Sequence, residues 1–236
     1  GLNWRVEKWG SFASRYLKMG EKVLTRYADE VVTLSEEMHQ YFLDTYGRDT
    51  ALVKNAISII PPTDDHLLRE AYGLEKGSYI LYIGRLSPEK GPQDLIAAYK
   101  RAGVSQKLVI AGEMPENDFG RELTALLDGE QNIVLPGFVS GDIMHALYSS
   151  CALYVLPSHT EGLALTLLEA MSCGANCLVS DIVENTAVLG DFGHAFAVSD
   201  IDDLARALRE SVDDTRLPEA VDAQIAHIRE HYSYDR

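Results

Sequence analysis

Two acids and two cations in this chain are spaced as a ligand site would need them. Glu161 and Glu169 stand eight residues apart in Pro157-Ser158-His159-Thr160-Glu161-Gly162-Leu163-Ala164-Leu165-Thr166-Leu167-Leu168-Glu169-Ala170-Met171-Ser172-Cys173-Gly174. The apolar run Ala152 to Leu156 before them reads as a buried strand. Leu163, Leu167 and Met171, with Ala170, then recur at helical spacing, and Gly174 supplies a stop. The pattern predicts a strand, a short polar loop and a helix starting near Gly162. A helix start there offers unpaired amides and the positive end of a dipole to an anion. Glu161 falls at the mouth of the loop and Glu169 two turns along the helix. Acids beside phosphate-binding amides suit a ligand with both hydroxyls and phosphates, and a nucleotide-sugar is the obvious example.

The cations lie in Tyr79-Ile80-Leu81-Tyr82-Ile83-Gly84-Arg85-Leu86-Ser87-Pro88-Glu89-Lys90-Gly91. A strand runs into Gly84-Arg85, Lys90 follows five residues after the Arg, and a helix comes next. This order places both cations above the C-terminal edge of a sheet. Arg suits bidentate contact with a phosphate, and Lys acts as a mobile point charge. The turn is not a Walker loop, which ends Gly-Lys-Ser/Thr. The plain structural reading of all four residues is a set of solvated surface charges. Their company decides against it, because two Glu eight apart occur in many helices but the surrounding context does not.

The elements that must position these side chains alternate from Tyr79 onward. Strands are predicted at Tyr79 to Ile83, Lys107 to Ala111, Ile133 to Leu135, Ala152 to Leu156, Cys177 to Ser180 and Ala195 to Val198. Helices are predicted near Gln93 to Ala102, Gly120 to Leu127, Asp142 to Ser149, Leu163 to Cys173, Asp202 to Val212 and Pro218 to Glu230. Continuous apolar strands with covering helices argue an α/β fold built on a doubly wound parallel sheet. Before it, Asp29 to Leu34 reads as a strand, followed by a helix to about Tyr46 and a strand at Leu52-Val53-Lys54. Pro61-Pro62 and Thr63-Asp64-Asp65 mark a boundary.

The stretch Pro-Ser-x-x-Glu-Gly-x-x-Leu-x-x-Leu-Glu-Ala-Met-x-x-Gly resembles the Glu-x7-Glu signature of the GT-B retaining glycosyltransferases of family 4 (group 1). Gly84-Arg85 with Lys90-Gly91 resembles that family's Gly-Arg-x4-Lys-Gly turn. Pro136-Gly137-Phe138-Val139-Ser140 resembles its Gly-Phe/Tyr-Val loop, and Asn55-Ala56-Ile57 its Asn-Gly-Val linker. The resemblance implies a Rossmann-like, nucleotide-sugar-binding domain over residues 58–236, preceded over residues 1–57 by the tail of an N-terminal acceptor domain. The first ~150 residues of a full GT-B enzyme would then lie outside this chain, and the fragment alone would transfer sugar poorly or not at all.

By the same resemblance, Arg85 and Lys90 hold the donor diphosphate at Gly84, and Glu169 takes the ribose hydroxyls. Glu161 faces the donor sugar, backbone amides come from Gly162, Leu163, Ala164 and Leu165, and Phe138 and Val139 touch the base. Phe138 has an equal reading as a core side chain. No cofactor or metal is implied, and the acceptor is a saccharide or lipid-linked sugar. The overall pattern looks most like bacterial capsule or exopolysaccharide transferases, rhamnosyltransferases among them. Ala164 stands where the family often has Gly, and Asn176 where it usually has Pro, so the donor sugar stays open. Two rival readings are a GT-B nucleotide-sugar epimerase, against which the Gly-Arg-x4-Lys turn argues, and a non-catalytic binding module, which loss of Glu169 or Arg85 would have favoured.

Composition fits a packed protein, with 46% hydrophobic and 24% charged residues in 236. No run approaches the ~20 apolar residues that span a bilayer, and the opening residues do not read as a signal peptide. Three cysteines, Cys151, Cys173 and Cys177, read as reduced core thiols of a cytoplasmic protein. Net charge is −15, and no Lys or Arg occurs from Glu122 to Ala205, which argues against nucleic-acid binding. Residues 1–26 are different. Trp4, Trp9, Phe12, Tyr16 and Leu17 interleave with Arg5, Lys8, Arg15, Lys18, Lys22 and Arg26. Such a helix either lies at an anionic membrane surface, making the protein peripheral, or packs on a partner domain.

Three further patterns have plainer explanations. Asp200-Ile201-Asp202 matches the metal-binding Asp-x-Asp but precedes a helix, where acids serve as caps. His227-Ile228-Arg229-Glu230-His231 matches a zinc-peptidase pattern without a third ligand. Cys173 and Cys177 flank a turn with no partner pair. His159, two residues before Glu161, reads equally as a sugar contact or as a loop brace.

Overall fold

The structure, a computed structural model, describes residues 11–34, 36–53, 55–61 and 63–234. Two compact units divide between Asn55 and Ala56. In the first, helix α1 (Ser11–Tyr27) is followed by strand β1 (Val32–Thr33), helix α2 (Glu36–Tyr46) and strand β2 (Ala51–Leu52), which pairs parallel to β1. Buried Glu21 of α1 accepts the hydroxyls of Tyr41 and Tyr46, both at 3.0 Å, and so ties α1 to α2. Both strands are shorter than the sequence predicts, because Val32, Ala51 and Leu52 are exposed and little apolar burial extends them. Trp4, Arg5, Lys8 and Trp9 of the basic segment lie outside the described residues, as do the Phe12 side chain, Lys54 and Pro62.

The second unit is a six-stranded sheet with every neighbour parallel, in the order β5-β4-β3-β6-β7-β8. The strands are β3 (Tyr79–Ile83), β4 (Lys107–Ala111), β5 (Ile133–Gly137), β6 (Leu153–Leu156), β7 (Cys177–Ser180) and β8 (His194–Phe196). Alternation along each strand splits the core in two. Tyr79, Leu81, Val109, Tyr154 and Val179 face helices α3 (His66–Tyr72), α6 (Gly141–Ser150), α7 (Leu165–Ser172), α8 (Val183–Leu189) and α10 (Pro218–Tyr232). Ile80, Leu108, Ile110, Leu153 and Leu178 face α4 (Pro92–Ala102), α5 (Asp118–Leu127) and α9 (Ile201–Ser211). The central strands β3, β6 and β7 are buried along their whole length, as continuous apolar runs under helices on both faces must be.

The predicted doubly wound parallel sheet is therefore what the chain forms. Two helices escape the sequence reading. α3 and α8 are each seven residues long, and α8 carries the poor helix formers Val183, Asn185, Thr186 and Val188. Burial of Val188 and Leu189 on the sheet, rather than propensity, makes Val183–Leu189 a helix.

Sheet order also fixes where a ligand can go. From β3 the chain winds outward to β4 and β5, then returns to place β6 on the other side of β3 and winds outward again. The connections leaving β3 and β6 diverge, and that reversal opens a crevice beyond the C-terminal ends of these two strands.

Candidate functional site

The connection after β3 runs through Gly84 and Arg85 into a single 3-10 turn, Pro88–Lys90, closed by Gly91. Gly91 has φ +67°, and a Cβ placed there would stand 2.2 Å from the Pro157 carbonyl oxygen. Only glycine meets both conditions. The turn is thereby seated against the start of the β6–α7 connection, and the backbone of His159 donates to Glu89 O at 2.9 Å.

That seating brings Lys90 to Glu161. Lys90 Nζ donates to Oε1 and Oε2 of Glu161 at 2.6 and 2.7 Å, and Ser158 Oγ donates to Oε1 at 2.7 Å. The Glu161 side chain is 5% exposed and Lys90 23%, so the pair is largely withdrawn from water. Arg85 is 75% exposed, with its guanidinium 3.5 Å from Glu89 Oε1. His159 Nε2 donates to Asp94 Oδ2 at 2.6 Å and braces the loop against α4, which favours the bracing reading over the sugar contact.

The helix after Glu161 begins later than the sequence predicts. α7 starts at Leu165, with Ala164 as its extended N-cap, so Gly162, Leu163 and Ala164 belong to the loop. The apolar spacing carried by Leu163 marks burial but not helix. Glu169 consequently lies little more than one turn into α7, nearer the crevice than two turns would put it. Tyr148 of α6 donates its hydroxyl to Glu169 Oε2 at 2.9 Å. Burial raises the Glu169 carboxyl above its ordinary value, offset in part by the Tyr148 hydrogen bond and by His145.

Two adjoining clefts share Ile83, Gly84, Arg85 and Thr166. The larger, about 410 Å³, is mostly apolar and is lined by Phe138, Val139, Met144 and Glu169 among others. The smaller, about 150 Å³, holds Lys90, Glu161, Leu163, Ala164 and Leu165. Of the residues that the sequence nominates, Gly162 and His159 line neither cleft, and the rest are gathered at one crevice. Phe138 is 78% exposed at the rim, so its core reading fails, whereas Val139 is buried. Sequence reasoning passed over Tyr148, Ser158 and Thr166. Tyr148 gives no local signal, because its contact with Glu169 spans two helices, whereas Ser158 stands inside the quoted motif.

The patterns set aside have ordinary explanations. Asp200 caps α9, accepting from the amides of Asp202 and Asp203 at 3.0 and 2.9 Å, and Asp202 pairs with Arg101 at 2.7 Å. His227 packs on Phe192 with ring centroids 5.2 Å apart. Among the described residues no group of three or more His, Cys, Asp and Glu side chains could hold a metal ion. None of their helices is long and apolar enough to cross a membrane.

A crevice at the switch point of a parallel sheet, walled by one Lys–Glu pair and a second acid, places the chain among the doubly wound α/β proteins. Comparison narrows it. Residues 64–227 match the family model described as glycosyl transferases group 1, and the chain belongs to that family. Residues 1–58 match a domain of unknown function (DUF1972).

Among curated relatives, the O-antigen chain mannosyltransferase B of Escherichia coli is 30% identical over 61% of this chain and 39% of its own length. The capsular polysaccharide biosynthesis glycosyltransferase CapM of Staphylococcus aureus is 24% identical over 92% of this chain and 61% of its own. The chain thus spans less than two thirds of either. Among solved structures, Anabaena Alr3699/HepE in complex with UDP-glucose superposes with TM-score 0.82 at 20% identity, covering 95% of this chain and 65% of that one. Sucrose-phosphate synthase from Thermosynechococcus elongatus gives 0.80 at 20% identity, covering 99% and 62%. The fold is the GT-B type.

Proposed function

We propose that this chain is the donor-binding part of a retaining glycosyltransferase, one that moves a hexosyl or rhamnosyl group from a nucleoside-diphosphate sugar to a saccharide or lipid-linked acceptor in surface polysaccharide synthesis. The observation that carries the reading is the convergence of Lys90, Glu161 and Glu169 on one crevice, reached from two connections about 70 residues apart. Residues 58–236 form the donor domain in this reading, and residues 1–57 end an acceptor domain.

The larger cleft takes the nucleoside. Its apolar wall and Phe138 accept the base, and Glu169 accepts hydrogen bonds from ribose hydroxyls. The diphosphate lies over Gly84, between Arg85, Lys90 and the first amides of α7. These positive charges and amide dipoles gain most as negative charge builds on the departing diphosphate. Glu161 keeps acceptor capacity beyond the three hydrogen bonds it already receives, and that capacity faces the donor sugar. Lys90 is shared between Glu161 and the phosphate once the donor is bound. No metal or other cofactor takes part in this scheme. Exposed Tyr16, Met19, Val23 and Tyr27 of α1, beside Lys22 and Arg26, suit peripheral contact with the inner face of a membrane.

Support comes from relatives that carry polysaccharide transferase names and from a neighbour holding UDP-glucose. The test is calorimetric titration with UDP, GDP, ADP and dTDP, repeated on Glu169→Gln and Arg85→Ala. Binding of one diphosphate, weakened by about 1–3 kcal/mol in each variant as charge-assisted hydrogen bonds require, is the expected result. Failure of all four to bind overturns the donor-site reading. Appreciable sugar transfer by this chain alone would refute the division of labour between the two domains.

A further inference from the structure

Behind Glu161 stands a chain of polar side chains that the donor site does not itself touch. Ser158 donates its hydroxyl to Glu161 Oε1 at 2.7 Å. Ser180, the last residue of β7, donates to the Ser158 carbonyl oxygen at 2.5 Å, and Asn185 of α8 donates its amide to Ser180 Oγ at 3.0 Å. Ser158, Ser180 and Asn185 are each completely buried, and Asn185 Oδ1 finds no partner among the described residues.

Burying three polar side chains with an amide oxygen left over is costly. The arrangement has a direction, however. Each hydroxyl in it donates toward the site and Ser180 accepts from behind, so the hydrogen-bond order runs from α8 through β7 to the carboxylate. Such a line pins the backbone of Ser158 at its carbonyl, and with it the height of the loop from which Ser158 Oγ reaches Glu161. Lys90 alone could not do this, because an ammonium on a four-carbon stem follows its carboxylate wherever it moves.

We propose that Ser158, Ser180 and Asn185 are positioning residues that hold the Glu161 carboxylate at the angle needed to receive the donor sugar. The proposal rests on the donor-site reading. It predicts a selective defect, since Glu169 holds the nucleoside, Arg85 and the α7 amides hold the diphosphate beside Lys90, and an ammonium on a long stem keeps its reach to the phosphate when the carboxylate shifts. In Ser180→Ala, affinity for UDP or GDP alone stays within about twofold. The extra affinity of UDP-glucose over UDP, or of GDP-mannose over GDP, falls at least fivefold. Ser180→Cys, which keeps a weak donor, restores part of it.

A second measurement needs no ligand. Urea unfolding of Ser180→Ala, Glu161→Gln and the double variant gives a coupling, although the two side chains do not touch. A coupling of at least fivefold in the unfolding constant, about 1 kcal/mol, is expected. Additive unfolding effects, or equal losses for nucleotide and nucleotide-sugar, overturn the proposal and leave a merely structural wall. If no nucleotide binds even the parent chain, the donor-site reading fails by itself, and the unfolding cycle still decides whether this relay holds Glu161.

Discussion

Replacing Lys90 by Ala tests the core of the site without any ligand. It strips two of the three hydrogen bonds from a carboxylate that is 5% exposed and leaves only the Ser158 hydroxyl. Breaking a buried ion pair from one side costs about 3–5 kcal/mol, whereas an exposed pair is worth about 0–1. Lys90 is 23% exposed, so water can enter where the ammonium was, and the lower end applies. We expect about 3 kcal/mol, which for a chain of this size lowers Tm by roughly 6–12 °C. The second unit contains no tryptophan, so urea unfolding is followed by far-UV circular dichroism. The double variant Lys90→Ala/Glu161→Gln, which removes the stranded charge, should recover about 1–2 kcal/mol of the loss. A cost under about 0.5 kcal/mol for Lys90→Ala, or a double variant equal to the sum of its parts, would refute the claim that a desolvated pair organises this loop.

Other perturbations have equally definite outcomes. Burial raises the Glu169 carboxyl, so the folded state holds its proton more tightly than the unfolded chain does. The associated stability is present below the ordinary carboxylate value and is lost as pH rises through the raised one. Glu169→Gln should therefore be at least as stable as the parent at neutral pH and converge with it in acid, seen in melts across pH, while binding nucleotide more weakly. Gly91→Ala forces a Cβ into the Pro157 carbonyl at positive φ. It should cost about 2–4 kcal/mol, measured by urea unfolding, and a neutral result would mean the turn is not seated as described. Burial pushes the thiol of Cys173 up to about 11 and that of Cys177 up to about 12. Neither should react with a disulfide reagent at pH 8 until denaturant is added, which a colorimetric thiol titration reads directly.

Much of this molecule is legible in the chain because its central strands are unbroken apolar runs. Tyr79 to Ile83 and Cys177 to Ser180 match the structure residue for residue. The site's charges are legible because Arg85 and Lys90 flank a turn, and Glu161 and Glu169 a helix start, each within one short segment. What the sequence does not show is mutual arrangement. The Lys90–Glu161 pair joins residues 71 apart, and no local pattern announces it. The start of α7 is misread for a related reason: Leu163 is partly buried by the tertiary fold rather than by helical periodicity. α8 is missed because packing overrides its poor helix formers.

The reversal of strand order has a consequence for how the crevice comes into being. β3 meets β4 across 28 residues, Ile80 to Leu108, but meets β6 across 73, Ile80 to Leu153. Closing the longer loop costs only about 1 kcal/mol more in chain entropy, yet it must wait for the intervening strands and helices to collapse. The half-sites on either side of β3 and β6 are therefore assembled late. A refolding chain would recover most of its helix before Lys90 finds Glu161, and ligand binding would be the last property to return.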